Sequence, residues 1–216
     1  MELRSTLTCT VCNYKSFTFD PFWDLSLPIR KEKYASSVTL KECLELFTQE
    51  EILDGDEMPT CAKCKQRRKC TKRFSIQKFP KVLVLRILDI YILSRAVVLD
   101  EVCWLLNQRS DLKRFKEGSY YRSKLSTHVD FPIHKLDLTL FAAEPNPGST
   151  IYNLYAVSNH SGSTYGGHYT AYAKHPETGK WNYFNDQRVS PVSESSIQSN
   201  EAYVLFYELA DSTSRL

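Results

Sequence analysis

Along the first part of the chain, apolar residues alternate with polar ones. SFTFD (residues 16–20) reads as a strand, and FWDLSLPI (22–29) repeats the alternation until Pro28 ends it. One stretch changes period: Leu40, Cys43, Leu44 and Phe47 in TLKECLELF fall at helical spacing. Thr39 with Glu42 three residues on is a capping-box signature, so a short helix is predicted to start there. FSIQKFPKVLVL (74–85) reads as two strands separated by Pro80. Later come YNLYAVSNH (152–160) and HYTAYAK (168–174), joined by SGSTYGG, then WNYFND (181–186) and AYVLFYEL (202–209). Several of these runs are apolar on both faces, which predicts a buried antiparallel sheet.

Composition narrows the class. The chain has 216 residues, 42% of them apolar, enough to bury a substantial core. Its formal charge of +3, from 28 basic and 25 acidic residues, does not point to nucleic acid. MELRSTLTCTVC lacks an apolar region after a basic start, so no signal peptide is expected. Ile87 to Leu106 is apolar-rich, but Asp89, Arg95, Asp100 and Glu101 interrupt it, which argues against a membrane span.

Seven cysteines are present. Four form two Cys-x-x-Cys pairs, Cys9/Cys12 and Cys61/Cys64. Such pairs fit a metal site in a reducing compartment, the cytoplasm or the nucleus, better than a disulfide framework. Each pair is a knuckle able to place two thiolates about 2.3 Å from one zinc ion. The bland alternative is two unrelated surface pairs or a redox motif. Four thiolates leave no open coordination position, so the predicted Zn2+ is structural. Of the others, Cys43 lies on the apolar helix face, Cys70 among Arg67, Arg68, Lys69, Lys72 and Arg73 reads as an exposed incidental thiol, and Cys103 reads as buried.

The stretch SNHSGSTYGGHYTAY carries the most chemistry. Gly166 and Gly167 set His168 at the mouth of a strand, facing a cleft. The strand WNYFND returns beside it and ends in Asn185 and Asp186. Either could orient the imidazole, as the third member of a Cys–His–Asn arrangement does. A glycine hairpin with a surface histidine accounts for the same residues. His160 opens the same loop and is a second candidate for the cleft wall.

YGGHYTAY, WNYFND, AYVLFYEL, DPFWDLSLP and the paired Cys-x-x-Cys together resemble the ubiquitin-specific protease family of deubiquitinases. The resemblance covers essentially the whole chain apart from one insert. It implies an α+β, partial papain-like cysteine-protease fold: an antiparallel palm sheet plus zinc-ribbon fingers, with the thumb largely absent. It implies fingers at about 1–80, palm at about 73–86 and 112–210, and an apolar insert at about 87–111. In that pattern Cys9, Cys12, Cys61 and Cys64 hold zinc, His168 is the catalytic histidine, and Asn185 is the third residue with Asp186 beside it. The implied reaction is hydrolysis of the isopeptide bond after the last glycine of ubiquitin through a thioester, with ubiquitin and ubiquitinated proteins as partners. The family's cysteine box has no counterpart in these residues, so this chain is expected to be inactive.

Three functions are thereby set against one another: a deubiquitinase relative, a catalytically dead zinc-containing ubiquitin-binding fragment, and a zinc-ribbon nucleic-acid binder. The last rests on KQRRKCTKR, where no aromatic residue interleaves the charges, so a solvated finger tip is the simpler reading.

Overall fold

The computed structural model describes residues 1–29, 37–88, 127–145, 147–162 and 166–210. Most of the apolar segment 87–111 and Cys103 lie outside the described residues. No helix among the described residues is long and apolar enough to cross a membrane.

The architecture is α+β and dominated by sheet. A four-stranded antiparallel sheet takes the order β2-β1-β6-β5, from β1 (Glu2–Cys9), β2 (Lys15–Pro21), β5 (Glu51–Leu53) and β6 (Cys70–Lys78). The larger sheet runs β13-β12-β11-β10-β14-β7-β3, with β9 also paired to β10. Its strands are β3 (Leu25–Pro28), β7 (Val82–Leu88), β9 (Leu136–Asp137), β10 (Ile151–Gly162), β11 (Gly167–Lys174), β12 (Trp181–Asn185), β13 (Arg188–Val192) and β14 (Ala202–Leu209). Neighbours in it are antiparallel except β3 and β7, which run parallel with Leu25 opposite Leu85 and Leu27 opposite Ile87. A parallel pair, β4 (Ser37–Thr39) with β8 (His128–Asp130), lies apart.

Among the described residues there is one α-helix, α1 (Leu40–Phe47). The Thr39 side chain accepts from the Glu42 amide and the Glu42 carboxylate accepts from the Thr39 amide, the predicted reciprocal cap. Its buried face, Leu40, Cys43, Leu44 and Phe47, joins the main core rather than the cysteine cluster. That core is built on one face of the large sheet, with Leu25, Leu27, Leu83, Leu85, Leu154, Val157, Leu205 and Tyr207 almost fully buried.

Two features separate the strands from their sequence pattern. β7 runs on through Leu88, so Ile87 pairs with β3 and is buried rather than starting an excursion. Strand β10 changes phase midway: Tyr152 and Leu154 are buried, then Val157 and Asn159. The register against β14 passes from Leu154↔Tyr207 to Ala156↔Phe206, leaving Tyr155 as an extra residue. This bulge rotates the rest of the strand by one position and decides which residues of its far end face the core side.

Candidate active site and metal centre

The hairpin between β10 and β11 pairs Ser161 with His168 and Gly162 with Gly167. Facing residues across antiparallel strands share one side of the sheet, so His168 and Thr170 lie on the core side with Val157 and Asn159. On the far flank Phe184 faces Ala171 and Tyr183 faces Tyr172. That register puts Asn185 on the His168 side, one diagonal step away.

The His168 Nε2 and the Asn185 Oδ1 are 2.7 Å apart. An amide oxygen only accepts, so Nε2 carries the proton and donates it. The lone pair is thereby assigned to Nδ1. The histidine is exposed at the end of the core and Asn185 is half-buried. Asp186 sits instead in the turn between β12 and β13, left-handed at φ 50° and exposed. Of the two candidates for orienting the imidazole, Asn185 is therefore the one in contact.

His160 lies on the opposite face and is 6% exposed, its ring 4.7 Å from that of Tyr169. A Cβ on Gly167 would overlap the His160 Nε2 and lie 2.7 Å from the Ser161 carbonyl oxygen. Gly167 is glycine because a buried imidazole occupies the side-chain position. Below the pair, Asn159 donates to the Thr170 hydroxyl at 3.4 Å and accepts from Ser199 at 3.4 Å, so a buried amide braces the strand that carries His168.

The two cysteine pairs meet at the tip of the smaller sheet. The two knuckles repeat the same backbone. The Cys9 amide donates to the Tyr14 carbonyl and the Asn13 amide to the Cys9 carbonyl; the Cys61 amide donates to the Gln66 carbonyl and the Lys65 amide to the Cys61 carbonyl. In each, the fourth residue after the first cysteine is left-handed, Asn13 at φ 54° and Lys65 at φ 59°. The Cys64 amide also points at the Cys61 sulfur at 3.4 Å. All four sulfurs lie within 4.8 Å of one another, and those of Cys12 and Cys61 are 3.6 Å apart. Four ligands at a zinc–sulfur distance of about 2.3 Å would stand about 3.8 Å from each other in a tetrahedron, so the donor set fits a metal ion.

Electrostatics points the same way. Backbone amides of Cys12 and Val11 bring the Cys9 thiol down from 9.0 to about 6. The Cys64 and Lys63 amides lower Cys61. Hydrogen bonding to Cys12, and then burial, pushes Cys64 up to about 12. Crowded thiols cannot all be anions without a cation among them, and a divalent ion would remove that conflict.

The basic run after the second knuckle is partly used by the fold. Arg67 donates to the carbonyls of Met58 and Asp56, and Lys69 pairs with Asp54 at 3.6 Å. Cys70 is not the exposed thiol its charged neighbours suggest: it is 1% exposed and packs with Cys9 and Cys61. Cys43 is core, as its helical position implied, and burial raises its thiol to about 11. The left-handed residues of the knuckles were not anticipated from the sequence; Asn13 was the available signal, since asparagine tolerates that conformation.

A family model described as ubiquitin carboxyl-terminal hydrolase matches residues 1–207. Ubiquitin carboxyl-terminal hydrolase 2 of Gallus gallus is 53% identical over 215 residues, covering 100% of this chain and 53% of that protein. The Homo sapiens protein of the same name is 52% identical, covering 100% of this chain and 31% of its own length. The chain thus spans about half or less of these relatives. Among solved structures, the SAGA DUB module Ubp8/Sgf11/Sus1/Sgf73 bound to monoubiquitin matches with a TM-score of 0.73 and 30% identity. That match covers 97% of this chain and 40% of the other.

Proposed function

Because this chain belongs to the ubiquitin carboxyl-terminal hydrolase family, we propose that it carries the His168–Asn185 half of a cysteine-type deubiquitinase site, braced by a structural zinc, and that these 216 residues by themselves do not hydrolyse ubiquitin conjugates. The carrying observation is the 2.7 Å bond from His168 Nε2 to Asn185 Oδ1. It holds the tautomer whose free Nδ1 can take a thiol proton and later return it to the leaving amine. The substrate bond is the isopeptide after ubiquitin's C-terminal glycine, attacked by a thiolate to give a thioester. Asn185 orients the ring, and Asp186 is its neighbour in the turn. Cys9, Cys12, Cys61 and Cys64 hold the zinc, which supplies structure and no catalytic step.

The expected lack of hydrolysis is supported by where the described thiols lie. Four described cysteines form the cluster, Cys70 is buried against it, and Cys43 is enclosed in the core. None of these six described cysteines has His168 as its hydrogen-bond partner, and an imidazole without a thiol beside it cannot start the acyl transfer.

The test is reaction of the purified chain with ubiquitin bearing a thiol-trapping electrophile at its C-terminus. No adduct is expected. A stoichiometric adduct would overturn the proposal and identify the cysteine concerned by peptide mapping. A second reading, a zinc-containing ubiquitin-binding fragment, is favoured by the ubiquitin-bound state of a relative at 30% identity. Titration with unmodified ubiquitin decides it.

A further inference from the structure

The fifth thiol at the metal centre has no part in a closed four-thiolate site. Cys70 stands directly opposite Cys9 across β1 and β6. In the adjacent pair the Thr10 amide donates to the Lys69 carbonyl at 3.1 Å. Ladder bonds alternate between pairs, so Cys9 and Cys70 form a non-hydrogen-bonded pair, the type whose Cα atoms approach to about 4.5 Å. A disulfide spans Cα separations of about 4.4–6.8 Å, a range that includes this type of pair. Both side chains point to the same face of the sheet, are 2% and 1% exposed, and pack in one cluster with Cys61.

We propose that Cys9 has two mutually exclusive partners, the metal ion and Cys70, and that a peroxide exchanges the first for the second by forming a Cys9–Cys70 disulfide. The inference rests on the four-cysteine cluster being a metal site. Cys12, Cys61 and Cys64 are all engaged by a bound ion, whereas the neighbouring Cys70 thiol is no ligand and donates to the Arg68 carbonyl at 3.3 Å. In the reaction the peroxide O–O bond breaks and one oxygen passes to the Cys9 sulfur, giving a sulfenic acid and, after protonation, water. The Cys70 sulfur then attacks the Cys9 sulfur. The S–O bond breaks, and that oxygen leaves as a second water with the thiol's proton. Two thiols and one hydrogen peroxide thus become one disulfide and two waters. Three thiolates remain, which is no longer a closed site, and the ion is released.

Zinc-loaded and chelator-stripped protein would each be treated with hydrogen peroxide. Released zinc would be read with a chromophoric indicator and disulfides mapped by tandem mass spectrometry. The expected result is a Cys9–Cys70 linkage in both samples, loss of zinc from the loaded one, and recovery of zinc binding after reduction. Cys70→Ser and Cys70→Ala should bind zinc before oxidation and lose the linkage. Disulfides confined to Cys9, Cys12, Cys61 and Cys64 in the wild-type protein, or peroxide-driven zinc release with no Cys9–Cys70 linkage, overturn the proposal. The mapped wild-type linkage decides the matter even if the variants do not fold. Failure of the protein to bind zinc or cobalt would refute the metal reading instead, while the stripped sample still reports on the cysteine pair.

Discussion

His168 Nε2 and Asn185 Oδ1 meet at 2.7 Å across two strands of the same sheet, and the contact fixes which ring nitrogen holds the proton. Nitrogen-15 NMR of the neutral imidazole should therefore show the proton on Nε2. Asn185→Ala should collapse that preference toward a tautomer mixture. It should cost at most about 1 kcal/mol of stability, since the pair is near the surface. Asp186→Ala should leave the tautomer as it is. An unchanged spectrum in Asn185→Ala would mean that another group orients the ring.

Gly166 and Gly167 precede that histidine but differ in what surrounds them. A Cβ at Gly166 meets nothing within 4 Å, while one at Gly167 overlaps the His160 ring. Gly167→Ala should destabilise by about 1–3 kcal/mol, the usual cost of overpacking, and Gly166→Ala by much less. Chemical denaturation of the two variants side by side gives the comparison.

Lys65 and Asn13 hold equivalent left-handed positions in the two knuckles. A left-handed lysine costs about 1–2 kcal/mol, against the entropy a glycine adds to the unfolded chain. Lys65→Gly should thus stabilise by up to about 1 kcal/mol, with a smaller gain for Asn13→Gly because asparagine already tolerates the conformation. Thermal melts of the zinc-loaded variants measure the difference.

Removing the metal should act locally. With chelator, or in Cys61→Ser, amide exchange should accelerate at both knuckles and the adjoining ends of β1, β5 and β6. The large sheet, whose core contains none of these cysteines, should stay protected. Equal loss of protection throughout would show that the two sheets unfold as one unit.

Alkaline pH should weaken the fold. Burial holds the Cys43 thiol up at about 11 against 9.0, and it raises Tyr152 and Tyr207 above their ordinary 10.0. A group whose folded pKa is raised keeps its proton longer in the folded state, so unfolded chains ionise first. The contribution of Cys43 is constant below 9.0 and falls as pH rises from there through about 11. The tyrosines add to the loss above 10.0. Tyr207→Phe gives up the hydroxyl bond to the Pro132 carbonyl, at about 1 kcal/mol near neutrality. Its denaturation midpoint should also fall less steeply with alkaline pH than that of the parent chain.

The sequence by itself determined what depends on near neighbours. The capping box at Thr39 and Glu42, the strand alternation and the glycine-flanked histidine are each set by a few consecutive residues. Local spacing also made the two Cys-x-x-Cys knuckles legible, because each is closed by its own backbone amides. Tertiary structure decided which distant residues meet. The inward face of β10 depends on a bulge at Tyr155, which no periodicity announces, and the choice of Asn185 over Asp186 depends on strand register. Cys70 reads as exposed from its basic neighbours. It is buried because the pairing of β1 with β6 turns it toward Cys9, and pairing is a property of two strands together.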